Sequence, residues 1–238
     1  MRREADDSKF TVCVLLYGDY LSLAMRCLES LRPLKDVVDL RIGLNEVDYV
    51  VEDYVRKTFL DAKISDNYKP QIFKYPMMRK LFYETGPLKE YVMWFDDDSY
   101  IKELDKLAWL KAVEPNMSQC DMLGSIYRIS YTEDQKAWAK SQPWFNNKPL
   151  SDKPKFATGG WWCIKSALLT KHNWPVPELK HSGGDVALGV LLNQQGYSLK
   201  HFNRGVAINA DFSGKESAAS RRGESGKEKP VGKGFIPR

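Results

Sequence analysis

A hydrophobic run at residues 91–95 leads directly into three consecutive carboxylates, Asp96, Asp97 and Asp98. A continuous apolar run of this length is typical of a strand that is buried on both faces of a sheet. Open α/β sheets bind their ligands at the carboxyl ends of such strands, which is where the three aspartates are expected. The run therefore predicts an α/β fold with an acidic site at one edge of the central sheet.

Three adjacent negative charges repel one another, which favours protonation unless a cation neutralises them. Mg²⁺ and Mn²⁺ prefer oxygen ligands, and such ions typically bind a diphosphate at the same time. The aspartate triplet therefore predicts a site for a divalent ion. The alternative is a solvated acidic turn without a ligand, and the other segments of the chain favour the metal site.

The first hundred residues alternate between strand-like and helix-like segments. Strands are predicted at 9–17 and 37–44, and each is followed by apolar residues at helical spacing, at 20–31 and 48–60. A further short strand is predicted at 71–75. This alternation is typical of βαβ units, so we expect a mostly parallel central sheet flanked by helices.

The rest of the sequence continues this organisation, and we expect one domain over 9–211, because no linker long enough to separate a second domain interrupts it. Residues 138–155 are rich in Pro, Trp, Asn and Lys and are predicted to form a loop. Small and charged residues dominate 212–238, which predicts a flexible basic tail, with order gained on ligand binding as the alternative. Residues 1–8 are expected to be a disordered N-terminus.

The composition excludes several classes of protein. A hydrophobic fraction of 43% is too high for a disordered chain. No run approaches the roughly 20 apolar residues that span a bilayer, and the N-terminus lacks the apolar segment of a signal peptide. We therefore expect a cytoplasmic protein without a membrane partner. The cysteines are scattered without CxxC spacing and are predicted to be reduced core thiols: Cys13, Cys27, Cys120 and Cys163.

Two adjacent glycines, Gly159 and Gly160, interrupt a predicted strand at 156–164. Their lack of side chains permits close approach by a ligand or by another chain segment. Trp161 and Trp162 follow and point to opposite faces of a strand, so we expect one indole in the core and the other lining a cavity. Tryptophan stacks well on sugars and bases. The alternative is a glycine bulge with two core indoles.

A second pair of glycines, Gly183 and Gly184, precedes Asp185 at the start of a helix predicted at 186–195. An aspartate in this position ordinarily caps the helix, which contributes roughly 1 kcal/mol. The functional interpretation is a general base, a carboxylate held at a helix start and facing a cavity. A cap alone does not require two preceding glycines, which indicate a crowded site.

These segments together resemble the core of GT-A-fold glycosyltransferases, in particular the fringe-like and β1,3-galactosyltransferase group. The resemblance is carried by the aspartate triplet, by Phe-Ala-Thr-Gly-Gly at 156–160 and by Gly-Asp-Val at 184–186, in this order. The opening segment at 12–31 is similar to the first strand and helix of family-2 glycosyltransferases. The resemblance covers about 9–210 and implies a GT-A-type domain that transfers sugar from a nucleotide-sugar donor.

The resemblance also implies a site for Mn²⁺ or Mg²⁺, with Asp98 and Asp96 as ligands. Members of the family usually supply a further histidine after the last strand. In this sequence His201 lies within the closing strand, and Asn209 and Asp211 follow it. Asp211 is a better oxygen ligand than Asn209, so we expect Asp211 as the third ligand, with His201 and His181 as the alternatives that the sequence leaves open.

The resemblance assigns further residues to the two substrates. Asp185 corresponds to the base that deprotonates the acceptor hydroxyl in inverting members, and UDP is the favoured nucleotide. The residues expected to bind the donor are Leu16, Tyr17, Asp19, Arg79, Asp96, Asp97, Gly159 and Gly160. The residues expected to bind the acceptor are Trp161, Trp162 and His181.

The chain also resembles small soluble phage or bacterial glycosyltransferases, some of which modify hydroxymethylated pyrimidines in DNA. The basic tail and the mixture of aromatics and lysines at 138–155 fit such an acceptor. A location in a bacterial cytoplasm or phage-infected host follows from this resemblance. The alternatives are a glycan or small-molecule acceptor, a nucleotidyltransferase or nucleotide-sugar hydrolase, and a nucleic-acid-binding module without activity. The sequence leaves the sugar, the acceptor and the oligomeric state open.

Overall fold

The computed structural model describes residues 8–67, 73–180, 183–211 and 213–216. The strands are β1 (Phe10–Gly18), β2 (Asp39–Val47), β3 (Lys63–Asn67), β4 (Tyr91–Asp96), β5 (Tyr100–Ile101), β6 (Met122–Arg128), β7 (Lys155–Lys165), β8 (Leu199–His201) and β9 (Val206–Ala207). The helices are α1 (Leu21–Leu31), α2 (Tyr49–Thr58), α3 (Lys74–Tyr83), α4 (Lys106–Met117), α5 (Glu133–Ser141), α6 (Ser166–Lys171) and α7 (Gly184–Gln195).

Seven strands form one sheet in the order β3-β2-β1-β4-β7-β6-β8, and β5 pairs with β9 in a small second sheet. Only β7 runs against its neighbours β4 and β6, while the other pairs in the large sheet are parallel. The expected α/β fold with a mostly parallel sheet is therefore confirmed. The antiparallel direction of β7 has a local consequence. Phe95 lies opposite Trp161, so the residues before Trp161 continue past the end of β4, beside the aspartate triplet.

The sheet has a hydrophobic core on each face, because successive strand residues point to opposite sides. Val12 and Val14 of β1 pack in the cluster that includes residues of α1, α2 and α4. Cys13 and Leu15 pack in the other cluster, with residues of α3, α5, α6 and α7. Burial on both faces explains the continuous apolar composition of the central strands.

The structure differs from the predicted elements at three places. Strand β3 was not expected, because its sequence, KISDN, is mostly polar and its residues are only partly buried or exposed at the sheet edge. Of the strand predicted at 71–75, residues 71–72 lie outside the described residues, and α3 begins at Lys74. The loop predicted at 138–155 includes Trp138, but this residue belongs to α5, which starts with a capping box between Thr132 and Gln135.

The end of α3 is fixed to β2 by Arg41, whose side chain is fully buried. Its guanidinium forms an ion pair with Asp39 at 2.7 Å and donates hydrogen bonds to the carbonyl oxygens of Leu81, Gly86 and Pro87. A buried charge needs such partners, because leaving it unpaired is costly. The contacts of Arg41 therefore fix the position of α3, whose first residues reach the candidate site.

All four cysteines are buried and free, which confirms the expected core thiols. Burial raises the pKa of the Cys13 thiol to about 12. None of the described helices combines the length and apolar composition that a membrane crossing requires. The predicted N-terminus and basic tail lie outside the described residues, apart from residue 8 and residues 213–216.

Candidate functional site

The aspartate triplet forms a tight turn between β4 and β5. The backbone N–H of Ser99 donates to the carbonyl oxygen of Asp96 at 2.9 Å. Asp97 and Asp98 are 2% and 7% exposed. The Ser99 hydroxyl donates to Asp98 Oδ1 at 3.2 Å, and the N–H of Ala210 donates to the Asp98 carbonyl oxygen at 2.8 Å. The turn thus holds two carboxylates in a largely buried position at the carboxyl edge of the sheet.

Asp96 has hydrogen-bond donors on both of its carboxylate oxygens. Lys74 Nζ lies 2.7 Å from Asp96 Oδ2, and Trp94 Nε1 donates to Asp96 Oδ1 at 2.8 Å. Lys74 Nζ also donates to the carbonyl oxygen of Gly159 at 3.1 Å. Asp96 was expected among the metal ligands, but these contacts make it the carboxylate that holds the Lys74 ammonium. We therefore leave Asp96 out of the proposed metal site.

Asp185 also lies close to Gly159. A Cβ placed on Gly159 would lie 3.1 Å from Lys74 Nζ and 3.6 Å from Asp185 Oδ2. The other carboxylate oxygen, Asp185 Oδ1, accepts a hydrogen bond from the N–H of Val186 at 3.0 Å. One oxygen is therefore held by the start of α7 while the second points to Gly159. The structure thus brings Asp185, Gly159, Asp96 and Lys74 together.

Two opposing effects act on the Asp185 carboxyl. Burial raises its pKa above the ordinary value of an aspartate, and the nearby Lys74 ammonium opposes that rise. A charged carboxylate in a poorly solvated environment is a stronger base than one in water. The arrangement can therefore accept a proton from a hydroxyl held beside Gly159.

Tyr75 is buried against the first turn of α7. A Cβ placed on Gly184 would lie 2.5 Å from the Tyr75 hydroxyl oxygen, and burial raises the pKa of Tyr75 well above the usual value. The N–H of Tyr75 donates to the carbonyl oxygen of Lys180 at 3.0 Å. The start of α3 therefore contacts the segment that carries Asp185.

The second glycine of the strand, Gly160, has a different environment from Gly159. A Cβ at Gly160 would lie 2.7 Å from Ile208 Cγ2, 2.8 Å from Ser99 Oγ and 2.9 Å from Asn209 Oδ1. Those atoms belong to the chain itself, so they account for the absence of a side chain at this position. We therefore place Gly159 beside the charged groups and treat Gly160 as a packing position.

One carboxylate oxygen of Asp211 accepts hydrogen bonds within its own turn. Asp211 Oδ1 accepts hydrogen bonds from the N–H groups of Ser213 and Lys215 and from the Ser213 hydroxyl. The Ser213 hydroxyl is the main cause of a pKa below the usual range for Asp211. Asp211 therefore has a local role in its own turn, its role as a metal ligand stays a prediction, and His201 accepts a backbone hydrogen bond from Ile126.

The residues expected to hold the nucleoside lie at the end of β1 and in the turn that follows. Leu16 is fully buried in the core, so its side chain is inaccessible to a donor. Tyr17 is partly exposed, Asp19 is exposed, and both lie at the same sheet edge as the aspartate triplet. Tyr17 and Asp19 thus remain candidates for contact with the donor.

Arg79 does not join the cluster around Gly159. Its guanidinium donates to Asn173 Oδ1 at 3.0 Å and to the carbonyl oxygen of Pro175, and it lies 5.1 Å from the centroid of the Tyr83 ring. These contacts fasten α3 to the segment after α6. Arg79 was expected to bind the donor, and we leave it out of the proposed site for this reason.

Both tryptophans of β7 are core residues. Trp161 is 0% exposed and its ring contacts Trp109, whereas Trp162 is 3% exposed and stacks on Trp94 with centroids 6.1 Å apart. They point to opposite faces, as expected, but both are packed in the core, and burial removes both from the proposed acceptor site. His181 lies outside the described residues.

Sequence reasoning missed Lys74 and Tyr75, the two residues at the start of α3 that reach the site. The sequence does contain one indication for Lys74. A cation in the first turn of a helix opposes the helix dipole, and no acidic residue accompanies it there. A lysine in that position therefore indicates a carboxylate partner elsewhere in the fold, which is Asp96.

The carboxylate oxygens of the aspartate triplet fit a divalent ion that also contacts substrate. Among the described residues, no three His, Cys, Asp or Glu side chains surround one point. Mg²⁺ at substrate phosphates is typically bound by one or two carboxylates, with phosphate oxygens and water as the other ligands. Asp98, with Asp97 adjacent, supplies that kind of ligand set without a third protein side chain.

Comparison with known proteins identifies the fold. No family model matches the chain, and no curated protein matches its sequence. GalNAc-T7, solved with UDP, GalNAc and Mn²⁺, matches with a TM-score of 0.60 and 11% identity, over 84% of this chain and 43% of its own. The mannosyltransferase PcManGT from Pyrobaculum calidifontis, solved with GDP-Man and Mn²⁺, matches with a TM-score of 0.55 and 15% identity, over 82% and 54%.

The chain thus spans about half the length of these solved structures. At such low identity the likeness concerns the fold alone. The described domain has the GT-A-type fold of these glycosyltransferases, as the sequence resemblance implies.

Proposed function

We propose that the protein is a metal-dependent glycosyltransferase that moves a sugar from a nucleotide-sugar donor to an acceptor hydroxyl. The proposal rests on the convergence of Asp185, Lys74 and Asp96 at Gly159, directly beside the buried carboxylates of the aspartate triplet. The two GT-A structures that share the fold were solved with a nucleotide or nucleotide sugar and Mn²⁺. A sheet edge of this kind is also where α/β folds bind nucleotides.

The donor end of the site is assigned to the end of β4. Asp98 and the adjacent Asp97 would hold Mn²⁺ or Mg²⁺ at the diphosphate. When bound, such an ion acts as a Lewis acid that stabilises charge on the leaving group. The Ser99 hydroxyl orients the Asp98 carboxylate, and Ala210 fixes the backbone of the same residue. Tyr17 and Asp19 are placed to contact the nucleoside, for which UDP is the favoured form.

The acceptor end of the site is assigned to Asp185. Its Oδ2 takes the proton of the acceptor hydroxyl. At the same time the acceptor oxygen bonds to the anomeric carbon of the donor sugar, and the bond from that carbon to the diphosphate breaks. A direct displacement of this kind inverts the anomeric centre. A positioned general base contributes on the order of 10²- to 10⁴-fold to the rate. Lys74 keeps a positive charge near Asp185, which favours the ionised carboxylate that this step requires.

Calorimetric titration with UDP and GDP, each with and without Mn²⁺, tests the proposal. We expect micromolar binding of one nucleotide that requires Mn²⁺ and is lost in Asp98→Asn. Asp36→Asn is the matched control, because Asp36 is exposed and carries the same charge. Absence of nucleotide binding to the wild type under every condition would contradict the proposal.

For the acceptor we propose a phosphate-bearing polymer, namely phage DNA that contains hydroxymethylated pyrimidines, with a glycan or small molecule as the alternative. Arg128 of β6 lies directly opposite Lys155 of β7, and both are exposed. Like charges opposite one another destabilise a sheet unless an anion lies between them. Tyr127, next to this pair, is 55% exposed and offers a ring for stacking on a base.

Binding of a single-stranded and a duplex oligonucleotide at low and moderate salt tests this acceptor. Arg128→Ser with Lys155→Ser should lower affinity by about tenfold or more, because each phosphate contact adds to binding through counterion release. Lys35→Ser with Lys111→Ser removes the same charge from exposed positions away from this surface. An equal loss in both double variants, or no oligonucleotide binding at all, would favour the glycan or small-molecule acceptor.

A further inference from the structure

The indole of Trp94 contacts both members of the ion pair at the candidate site. Its Nε1–H donates to Asp96 Oδ1 at 2.8 Å, and the Lys74 ammonium lies 5.7 Å from the centroid of its ring. An ammonium at this distance from an indole face is attracted by the ring electrons. Lys74 Nζ and Asp96 Oδ2 are themselves 2.7 Å apart, so each of the three side chains contacts the other two.

The position of the Trp94 indole is fixed by its own packing. Residues two apart in a strand point to the same face, which brings the indole to Asp96. Trp94 is 0% exposed, and its ring stacks on Trp162 and meets Phe82 edge-on with centroids 6.0 Å apart. Close packing of this kind leaves little freedom for a core side chain. The indole N–H therefore has a fixed direction.

Asp96 is held between the indole and the ammonium, with one carboxylate oxygen bonded to each. The side chains of Lys74 and Asp96 are 14% and 18% exposed, so water screens their attraction only in part. A displacement of Asp96 would also leave the buried indole N–H of Trp94 without its acceptor, which is costly. Trp94 therefore fixes Asp96, and Asp96 fixes the Lys74 ammonium.

The ammonium held in this way lies beside the proposed base. Lys74 Nζ donates to the carbonyl oxygen of Gly159 at 3.1 Å. A Cβ placed on Gly159 would lie 3.1 Å from Lys74 Nζ and 3.6 Å from Asp185 Oδ2, so both charges border the same small space. A positive charge near a carboxylate favours its ionised form, which is the form that accepts a proton.

We propose that Trp94, Asp96 and Lys74 form one positioning unit that holds a positive charge beside Asp185. The inference rests on the proposed function, since it assigns Asp185 the role of base. Within the triplet, Asp96 then acts on the transfer step, whereas Asp98 acts on binding of the metal and the nucleotide. The two carboxylates therefore have separable effects, one on turnover and the other on affinity.

A double-mutant cycle tests whether Trp94 acts through Lys74. Turnover is followed as nucleotide release from UDP-glucose, UDP-galactose, UDP-GalNAc and GDP-mannose with Mn²⁺, with water as the acceptor. Trp94→Phe should lower kcat by about tenfold with the donor KM within twofold, the size expected when one hydrogen bond to a charged group is lost. In the Lys74→Met background the same change should have no further effect, because residues that act as one unit are not additive.

Trp109→Phe is the matched control. The indole N–H of Trp109 donates to the carbonyl oxygen of Arg204 at 2.9 Å, and the residue packs in the core on the other face of the sheet from Trp94. Trp109 is 4% exposed, so the variant loses the same ring volume and the same kind of buried hydrogen bond. Its kcat should stay within twofold of the wild type. An equal loss in both tryptophan variants, or an undiminished effect of Trp94→Phe in the Lys74→Met background, would overturn the inference.

The indole N–H signal of Trp94 gives a second test that does not require turnover. Its loss in Trp94→Phe identifies this signal in the proton–nitrogen correlation spectrum. In Lys74→Met the signal should shift and exchange with solvent about fivefold faster or more, because Asp96 is then held on one side only. Lys171→Met is the control, because Lys171 is exposed and its ammonium lies against the Tyr197 ring.

The two tests separate the inference from the proposed function. An unchanged Trp94 signal in Lys74→Met would overturn the inference even if the enzyme is active. The expected shift in a protein that binds no nucleotide and turns over no donor would refute the proposed function and leave the contacts among Trp94, Asp96 and Lys74 established.

Discussion

At the scale of single residues, Asp185 is a carboxylate whose environment favours reactivity over stability. Burial raises its pKa, and the Lys74 ammonium only partly offsets this effect. Because the pKa is raised, the folded protein holds the proton more tightly than the unfolded chain does. The stability contributed by that proton is present below the usual pKa of an aspartate and is lost as the pH rises through the raised value.

Asp185→Asn should therefore raise the Tm at pH 7, since the amide removes a poorly solvated charge. The difference in Tm from the wild type should shrink as the pH is lowered towards the usual aspartate range. Transfer activity should fall on the order of 10²- to 10⁴-fold in the same variant. Thermal unfolding across pH, with Asp36→Asn as an exposed control, measures the effect. A lower Tm for Asp185→Asn at pH 7 would show that the Asp185 charge stabilises the fold.

The sequence pattern predicts the acidic turn at the end of β4, but it does not predict which residue each carboxylate contacts. Asp96, Asp97 and Asp98 are equivalent in the sequence, and only the fold shows that Asp96 meets Lys74 and Trp94. Trp161 shows the same limit. Alternation along a strand predicts the face that a side chain occupies, but not whether a helix or solvent covers it.

At the scale of elements, the central strands could be predicted because burial on both faces leaves a continuous apolar run in the sequence. Strand β4 and helix α7 lie close to their expected positions for this reason. The strand β3 has no such run, because among the described strands it lies at the edge of the sheet and its residues are mostly polar. Its existence depends on pairing with β2, which is a tertiary contact.

Helix α3 illustrates why the candidate site was only partly predictable. Its role depends on residues at its two ends, and the contacts are distant in sequence. Lys74 reaches Asp96 and Gly159 at one end, while Arg41 holds the other end on β2. Hydrophobic periodicity places the helix but contains no information on such polar contacts.

At the scale of the whole molecule, the segment at 206–211 connects the acidic turn to α1. Strand β9 pairs with β5 directly behind the triplet, and Ala210 bonds the Asp98 carbonyl oxygen. Arg26 of α1 donates to the carbonyl oxygen of Asp211 at 2.5 Å, and its guanidinium lies 5.0 Å from the centroid of the Tyr100 ring. The position of Asp98 therefore depends on a residue far from it in sequence.

Arg26→Met should weaken Mn²⁺-dependent binding of UDP by about five- to tenfold, the loss expected from charge-assisted hydrogen bonds that support the site. The physical reason is that the segment at 206–211 loses its contact with α1, so the backbone hydrogen bond from Ala210 to Asp98 is less well held. Calorimetric titration measures the affinity, and the Tm is recorded to exclude unfolding. Arg32→Met is the matched control, because the Arg32 side chain, within the part of the chain that the structure describes, forms an exposed ion pair with Glu29, and such pairs contribute little. Equal affinities in both variants would show that the position of Asp98 is independent of the anchor on α1.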